Sequence, residues 1–456
     1  MHLLLLGLFS LAPLHPQEEA AAALLFKAED LGAKGQYAKA WALYKRLADK
    51  HPDTLAGKTA FARIQSTGFV ASRVLVDNGP SRNRLDVVIL GDGFTLEHQR
   101  AFDNLAEDVS KLFKRNDVLG EYYGYQNFTK VNLVSWDDGI DANGRKSRTA
   151  LDGHQSRSLQ GQVAVNPAKV HQRLADLPAQ DGLAVVFVKS GSLGSSSAGV
   201  ATIAGRSNKT LIHEWGHAFG GLGDEYASTT GHRSQVRSRI NISSTGDPKR
   251  VPWKHWIEAK ARGVGVYQGA NGQVRGAWKP NASECIMEDD DRFCIVCREA
   301  LVRAFYRFVD PIDERKPVPH FAERLDKPAT RHIRISGTKT FEVRVMRPKS
   351  HEIAVRWWIL PEKQRPRSPV LPPDAKDRSV RGKLPKIADK PYQTSPGRKS
   401  GLHKLKISKR DLSPGRYALV CRAIDTTKVA GEDLPWVISD PDGRLESEVV
   451  WLIEVK

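Results

Sequence analysis

The stretch LIHEWGHAFGGLGDEY, residues 211–226, places His213 and His217 four residues apart, with Glu214 beside the first histidine. On a helix, residues i and i+4 lie on the same face, so the two imidazoles can bind one metal ion. Glu214 would lie near the open coordination position, where a carboxylate can take a proton from water and pass it to a leaving amine. The spacing predicts a catalytic zinc, Zn(2+), with Glu214 as the general base.

A catalytic zinc usually has three protein ligands, so one more is needed after His217. The glycines within residues 220–223 follow the end of the helical face, where glycine permits the positive φ of a sharp turn. Asp224 is the first acid after this turn and is predicted to be the third ligand. In an extended segment Glu225 should point away from Asp224 and hold a histidine ring from behind. A bulge in the turn would allow either acid to bind.

An alternation of strands and helices must position these side chains, and it predicts an α/β domain. Buried strands are predicted in RLDVVILGDGF, from Arg84, and LAVVFVKSG, from Leu183, because each contains a short apolar run. HQRAFDNLAEDVSKLFKR, from His98, has the apolar spacing of a helix. GVATIAG, which ends at Gly205, is interpreted as an edge strand that could pair with an extended substrate.

Composition and charge limit the partners of the chain. Its 456 residues are enough for two or three domains, and its formal charge is +18. Residues 311–456 contain 31 Lys and Arg against 19 Asp and Glu, so +12 of this charge lies in the last third. Such a charge can favour anionic polymers, but no nucleic-acid motif accompanies it, and a solvated basic surface is the preferred interpretation. No nucleic-acid partner is expected, and the oligomeric state is not indicated.

The first residues are typical of a secretory signal. The apolar run from Leu3 to Leu14 is too short to cross a bilayer, and residues 1–16 are predicted to be a signal peptide. The protein is therefore expected to be secreted, periplasmic or at the cell surface. No other stretch predicts a transmembrane segment.

Three of the four cysteines cluster within thirteen residues, namely Cys285, Cys294 and Cys297. In an exported chain this cluster predicts a disulfide, most simply between Cys285 and one of the other two. A structural zinc is the alternative. It is less favoured, because a single CxxC supplies only two of the four ligands that such a site needs.

Three segments in order resemble the IgA-peptidase family of zinc metallopeptidases: NRLDVVILGDGFT, HEWGHAFGGLGDEY and ECIMEDDDRFCIVCREAL, within residues 74–310. In this family a His-Glu-x-x-His (HExxH) motif is followed by Asp-Glu-Tyr. The resemblance implies a metzincin-like fold, zinc-dependent hydrolysis of peptide bonds and an exported bacterial protein. Metzincins take their third ligand six residues beyond the second histidine, a position that is Gly223 here. Met287 is either the methionine that forms an apolar floor below the zinc histidines in such enzymes or an ordinary core residue.

These features together predict a secreted zinc-dependent endopeptidase, a hydrolase that acts on a protein or peptide substrate. Tyr226 is a candidate catalytic donor to the developing oxyanion. Two alternatives stay open, namely a non-catalytic extracellular binding protein with a vestigial zinc site, and a zinc hydrolase of cell-wall polymers. An intact Glu214 argues against a vestigial site, which has no need of a general base. The basic C-terminal third suits an anionic polymer equally well.

The domain organisation is predicted from changes in composition and in the pattern of apolar residues along the chain. Small and aromatic positions within residues 21–54 resemble one tetratricopeptide repeat, and alternating segments after residue 330 favour an antiparallel β-sandwich. The predicted fold class is α/β (α+β), a metzincin-like catalytic domain with an N-terminal helical hairpin and a C-terminal β-sandwich. The predicted parts are a signal peptide at 1–16, a tetratricopeptide-like helical hairpin at 17–73, a zinc metallopeptidase domain at 74–315, a linker at 316–329, and a β-sandwich at 330–456 with a basic Pro-rich loop at 361–402.

Overall fold

The computed structural model describes residues 16–142, 144–156, 161–189, 193–228, 236–319, 332–366, 382–395 and 400–456. The predicted signal peptide lies outside these residues apart from Pro16, and so do most of the predicted linker and part of the Pro-rich loop. Within the described part of the chain, no helix has the length and apolar character needed to cross a membrane.

The described residues form a mixed α/β protein. Its α-helices are α1 (Pro16–Ala33), α2 (Tyr37–Lys50), α3 (Leu55–Ala62), α4 (Gln99–Arg115), α5 (Asp117–Glu121), α6 (Pro167–Ala175), α7 (Asn208–Gly220), α8 (Lys254–Glu258) and α9 (Ile295–Phe308). Its strands are β1 (Phe69–Val76), β2 (Leu85–Asp92), β3 (Gln126–Leu133), β4 (His154–Gln155), β5 (Val163–Ala164), β6 (Ala184–Val188), β7 (Ser195–Ser197), β8 (Val200–Ala204), β9 (Tyr267–Ala270), β10 (Gln273–Lys279), β11 (Ile312–Lys316), β12 (Ile333–Ile335), β13 (Thr338–Val345), β14 (Ile353–Pro361), β15 (Gln393–Ser395), β16 (Leu402–Ser408), β17 (Gly415–Asp425) and β18 (Glu446–Val455).

A six-stranded sheet of order β1-β3-β2-β6-β8-β7 lies at the centre of the predicted catalytic domain. β2 runs parallel to β3 and β6, and β6 runs parallel to β8. Every residue of β2 is buried, as expected of a parallel strand that is covered on both faces. Its alternate residues enter two cores: Val87 and Ile89 join the core that contains α4, and Val88 and Leu90 join the core that contains α6.

The GVATIAG segment forms β8, but the expectation that it is an edge strand is wrong. β8 is paired with β6 on one side and with β7 on the other. β7 reaches its place through a turn at Ala198 and Gly199, where φ is 50° and 80°. A two-residue turn with positive φ at both positions matches the twist of an antiparallel pair, so the serine-rich segment folds back onto β8. Among the described strands, β7 forms this end of the sheet.

Helix α7 carries the two histidines of the motif and follows β8 after a short connection. Ser207 caps its N-terminus, where the hydroxyl accepts a hydrogen bond from the backbone N–H of Thr210. One face of the helix is buried through apolar residues spaced by four, namely Leu211, Trp215 and Phe219. The core therefore fixes the orientation of α7, while His213 and His217 stay partly accessible.

The N-terminal helices pack on the central sheet through apolar residues and one buried polar cluster. Tyr37 of α2 donates a hydrogen bond to Asp103 of α4 at 2.8 Å, and Lys130 of β3 forms an ion pair with the same carboxylate. Burial and the Asp103 carboxylate raise the pKa of the Tyr37 hydroxyl, which therefore stays a donor. Val70 of β1 belongs to the apolar core of these helices, and β1 spans the domain boundary predicted at residue 73.

Two sheets form the C-terminal part of the chain, one of order β11-β13-β16 and one of order β12-β18-β17-β14-β15. Side chains of both enter one core, where the rings of Phe341 and Trp451 lie 5.4 Å apart. β11 spans the boundary predicted at residue 315 and pairs with β13. Within the segment predicted as a loop at 361–402, β15 pairs with β14.

A buried imidazole connects the C-terminal sheets to the predicted catalytic domain. Nδ1 of His351 lies 2.8 Å from Oε1 of Glu121, and Nε2 lies 2.8 Å from Oδ1 of Asp425. The hydroxyls of Tyr122 and Tyr306 donate to the other oxygen of Asp425. Burial opposes a charged imidazole, but the hydrogen bonds to Asp425 and Glu121 outweigh it and raise the pKa of His351 to about 9. At neutral pH this imidazole is therefore a cation between two carboxylates.

Candidate metal centre

The three predicted metal ligands converge on one side of α7. Nε2 of His213 and Nε2 of His217 lie 3.1 Å apart. Oδ1 of Asp224 lies 3.1 Å from the first of these atoms and 3.0 Å from the second. A zinc ion bound tetrahedrally at about 2.0 to 2.1 Å would place such atoms about 3.3 Å apart. The three atoms therefore enclose a position close in size to that of a zinc ion.

The second nitrogen of each histidine decides which atom faces this position. Nδ1 of His213 lies 2.8 Å from the carbonyl oxygen of Ile286, and Nδ1 of His217 lies 2.8 Å from that of Leu222. A carbonyl oxygen only accepts, so each Nδ1 carries a proton, and the lone pair of a neutral ring then lies on Nε2 and points toward the other ring. Two lone pairs and a carboxylate oxygen repel one another unless a cation lies between them. The donor set fits a divalent metal such as zinc.

Without a metal ion, a proton on an imidazole Nε2 can take the place of the cation between these atoms. Burial opposes ionisation of Asp224, but hydrogen bonds with His213 and His217 outweigh it and lower the pKa of this carboxyl below its ordinary value. Burial also opposes a charged His213, but its hydrogen bonds with Asp224 and with the Ile286 carbonyl raise the pKa of the imidazole. The site thus holds a negative charge on the aspartate and attracts a positive charge beside it.

The turn after α7 brings Asp224 back to the histidines. The helix ends at Gly220, and Gly221 follows with φ of 65°, in the left-handed region that favours glycine. The side chain of Asn241 holds the next part of the turn, since it accepts from the N–H of Gly223 and donates to its carbonyl, both at 2.8 Å. The sharp turn predicted from the glycines is present, and Asp224 is the acid that it delivers to the histidines.

Glu214 is buried beside the convergent atoms, with 7% of its surface exposed. Burial raises the pKa of its carboxyl, and His217 and His213 oppose this rise. The space around the side chain is tight, because a Cβ on Gly194 would lie 2.7 Å from Cγ of Glu214 and 2.9 Å from its Oε1. A raised pKa brings the basicity of the carboxylate closer to that of a general base that works near neutral pH.

Tyr226, the predicted oxyanion donor, lies at the rim of the site. It is 41% exposed, and its ring stacks on that of His213 with 6.3 Å between the ring centres. Partial burial and the nearby carboxylates of Asp224 and Glu214 raise the pKa of the phenol. The hydroxyl therefore keeps its proton at neutral pH and can donate a hydrogen bond.

Met287 lies against the middle of α7. A Cβ on Gly216, which precedes His217, would lie 2.8 Å from Sδ of Met287. The Met287 carbonyl accepts a hydrogen bond from the N–H of Glu225 at 2.7 Å. One short segment thus contacts both the histidine helix and the acidic residues after it.

Two expectations about the surroundings of the site are not met. Glu225 does not hold a histidine ring: its carboxylate is buried away from the histidines and accepts hydrogen bonds from Asn241 and Asn281 at 2.9 and 2.6 Å. Backbone carbonyls orient the rings instead. The disulfide predicted within the cysteine cluster is also absent, because all four cysteines are free thiols. Three of them gather around Glu225 rather than pairing with one another.

Sequence reasoning missed Gly194, Asn241 and Asn281. Gly194 leaves room for the side chain of Glu214, and the two asparagines fix the turn and the carboxylate of Glu225. They lie in separate loops at no fixed spacing from the histidine motif. Because Gly and Asn are common loop residues, the sequence alone did not indicate that these three lie near the site.

Two imidazoles and a carboxylate around one position, with a glutamate beside it, are an arrangement typical of metal-dependent hydrolases. A family model described as IgA Peptidase M64 matches residues 74–262 and 258–305, about half of the chain. The chain belongs to this family of metallopeptidases, so it is a peptidase that acts on proteins or peptides, and the membership predicted from the three motifs is confirmed. No curated protein matches the chain.

Proposed function

We propose that the chain is a secreted zinc-dependent endopeptidase in which His213, His217 and Asp224 hold the metal and Glu214 is the general base. The observation that carries the proposal is the convergence of three acceptor atoms within 3.1 Å of one another, beside a buried glutamate. Two imidazoles and one carboxylate are a donor set typical of catalytic zinc, and they leave a coordination position open.

The chemistry follows from the places of the side chains. When bound by these residues, zinc would supply a Lewis acid that polarises the scissile carbonyl and a water molecule. Glu214 takes the proton of the attacking water and passes it to the leaving nitrogen, so its desolvated carboxylate serves as base and then as acid. Tyr226 keeps its proton and donates a hydrogen bond to the developing oxyanion.

Other features of the chain support a particular fold and location. We infer that the catalytic domain is metzincin-like, which the position of Met287 against α7 supports. We infer a β-sandwich for the C-terminal part, which the shared core of its two sheets supports. Export is supported by the apolar run from Leu3 to Leu14.

Proteomic cleavage profiling of the purified, zinc-loaded protein tests the function. Cleaved peptides should accumulate with the unaltered chain, and they should be lost after chelation and in Glu214→Gln. A zinc-loaded protein that cuts no peptide in such a library would overturn the proposal. A parallel assay on purified cell-wall polymer distinguishes the polymer hydrolase, and inactivity in both assays would favour a binding protein.

A further inference from the structure

A second group of potential metal ligands lies next to the first. Cys285, Cys294, Cys297 and Glu225 each offer one ligand atom, and these four atoms all lie within 4.8 Å of one another. Cys294 is the N-cap residue of α9, and Cys297 lies in its first turn. Four protein ligands around one point is the number that closes a structural zinc site. The long-range contact with Glu225 and Cys285 supplies the two ligands that the CxxC alone lacks.

The distances within this group are close to those around a shared metal ion. Sγ of Cys297 lies 3.0 Å from Oε1 of Glu225, and Sγ of Cys294 lies 3.8 Å from the same oxygen. Tetrahedral coordination with zinc–sulfur bonds of about 2.3 Å and zinc–oxygen bonds of about 2.0 Å places neighbouring ligand atoms about 3.5 to 3.8 Å apart. Small movements of the side chains are enough to reach these separations.

The buried carboxylate of Glu225 has no cation among its described hydrogen-bond partners. Glu225 is completely buried, and its described partners are the amides of Asn241 and Asn281 and the thiols of Cys294 and Cys297. None of these described partners is a cation. Burial of a carboxylate without a counter-charge is strongly unfavourable, and a bound metal cation would remove that penalty.

The local backbone favours thiolates at the same place. The N–H of Cys294 donates to Sγ of Cys285 at 3.4 Å. α9 is fourteen residues long, and its N-terminus, where the helix dipole is positive, lies at the cysteines. Thiolates are soft ligands that select zinc over magnesium or calcium.

We propose that Cys285, Cys294, Cys297 and Glu225 bind a second zinc ion, which is structural and separate from the one held by the histidines. Its four ligands fill the coordination shell, so it takes no part in the reaction. It joins the residue after Asp224 to the start of α9 and to the loop of Met287, and so fixes the turn that carries Asp224. The proposal does not rest on the proposed function, because none of its ligands is a catalytic residue or a ligand of the first metal.

Metal content and a cobalt spectrum test this site apart from the first. The full chain carrying His213→Ala and His217→Ala removes the histidine site and keeps all four residues of the second group. Purified with reductant under nitrogen, this variant should retain one zinc per chain. After exchange for cobalt it should show the intense near-ultraviolet absorption of thiolate-to-cobalt charge transfer.

Single changes added to this variant identify the ligands. Cys285→Ser and Cys297→Ser should each abolish the charge-transfer band or lower the cobalt affinity by more than tenfold, and Glu225→Gln should shift the cobalt spectrum. Cys421→Ser is the matched control, because Cys421 is a buried thiol of β17 outside the group. It should leave both the metal content and the spectrum unchanged.

Three outcomes would overturn the proposal: a folded His213→Ala and His217→Ala variant that holds no metal, a cobalt spectrum without thiolate bands, or a disulfide among the three cysteines in peptide mapping of the protein as isolated. This double variant retains all four proposed ligands, so its metal content does not depend on the folding of a cysteine variant. An unaltered chain that holds zinc only at the thiolates would support this inference and contradict the proposed function.

Discussion

Asp224 and Glu225 are adjacent in the chain, but their carboxylates face two different groups of side chains. Oδ1 of Asp224 lies 3.0 Å from Nε2 of His217, whereas Oε1 of Glu225 lies 3.0 Å from Sγ of Cys297. Successive side chains of an extended segment point to opposite sides, so one dipeptide can serve two sites. Substitution of Asp224 should therefore affect the metal at the histidines, and substitution of Glu225 should affect the metal at the cysteines.

Asp224→Ala should remove the metal from the histidine site and leave the thiolate site occupied, because only the first site loses a ligand. Equilibrium dialysis and cobalt spectra measure this change. Glu225→Gln is the reciprocal control, and it should keep the metal of the histidine site. Retention of the histidine-bound metal in the Asp224 variant, with its loss in the Glu225 variant, would reverse the assignment of the third ligand.

Glu214→Gln should lower kcat/KM by about 10²- to 10⁴-fold, because the amide cannot accept the proton of water. Its metal content should equal that of the unaltered protein, since Glu214 is not a predicted ligand. Initial rates on a fluorogenic peptide chosen from the cleavage profile, together with zinc analysis, measure both quantities. An unchanged rate would show that another group is the base.

Gly194→Ala should reduce peptidase activity without loss of metal. The new methyl group would meet Cγ of Glu214 and Cγ2 of Thr210, each at 2.7 Å, so the glutamate must move away from its place. A loss of about tenfold or more in kcat is expected, because a displacement of about 1 Å can cost 10²-fold. Gly337→Ala is the matched control, because a Cβ there meets nothing within 4 Å. Equal activity of both variants would contradict the role given to the space at Gly194.

The free energy of unfolding should fall as the pH rises from about 6.5 to about 9, because of His351. The folded protein raises the pKa of this imidazole from 6.5 to about 9. A raised folded pKa stabilises the protein fully below the unfolded value, and this stabilisation is lost as the pH passes through the folded value. At 1.4 kcal/mol for each pKa unit, the loss is about 3 kcal/mol.

Urea denaturation at several pH values measures this loss. His351→Gln should remove most of this alkaline dependence, whereas His154→Gln, at an exposed position, should retain it. The same slope in all three proteins would show that His351 is not the group that titrates.

Lys130→Met should destabilise the fold by about 3 to 5 kcal/mol, because it leaves the buried Asp103 carboxylate without its cation. Thermal and urea unfolding measure the change, and the double variant Lys130→Met with Asp103→Leu should recover much of it. Lys111→Met provides the control, since its ion pair with Asp108 is exposed and should contribute less than about 1 kcal/mol. A small effect of Lys130→Met would indicate that the ion pair with Asp103 contributes little to the stability of the fold.

Strands, helices and turns that depend on a local pattern of apolar residues or glycines could be predicted from the sequence. β2 has a continuous apolar run because both of its faces are buried, and the histidine motif lies on a helix whose other face is apolar. The glycines after His217 form the turn that they predict, because positive φ is a local property of glycine.

The place of β7 and the surroundings of Glu225 could not be predicted, because they depend on contacts that a local sequence pattern does not contain. The serine-rich strand β7 has low β-propensity, and it exists because a tight turn folds it onto β8. The place of Glu225 depends on cysteines more than fifty residues away. A spacing rule for one site could not reveal that the neighbouring acid belongs to another group.

Strand β11 limits where the C-terminal part of the chain can be exchanged between related proteins by recombination. It begins four residues after the end of α9, crosses the predicted boundary at residue 315 and is hydrogen-bonded along β13. A chain divided at that boundary would be cut inside a paired strand, and its C-terminal fragment would expose the edge of β13. Swapping the C-terminal sheets between relatives therefore requires a crossover before Ile312, so that each recombined gene inherits the strand together with the sheet it completes.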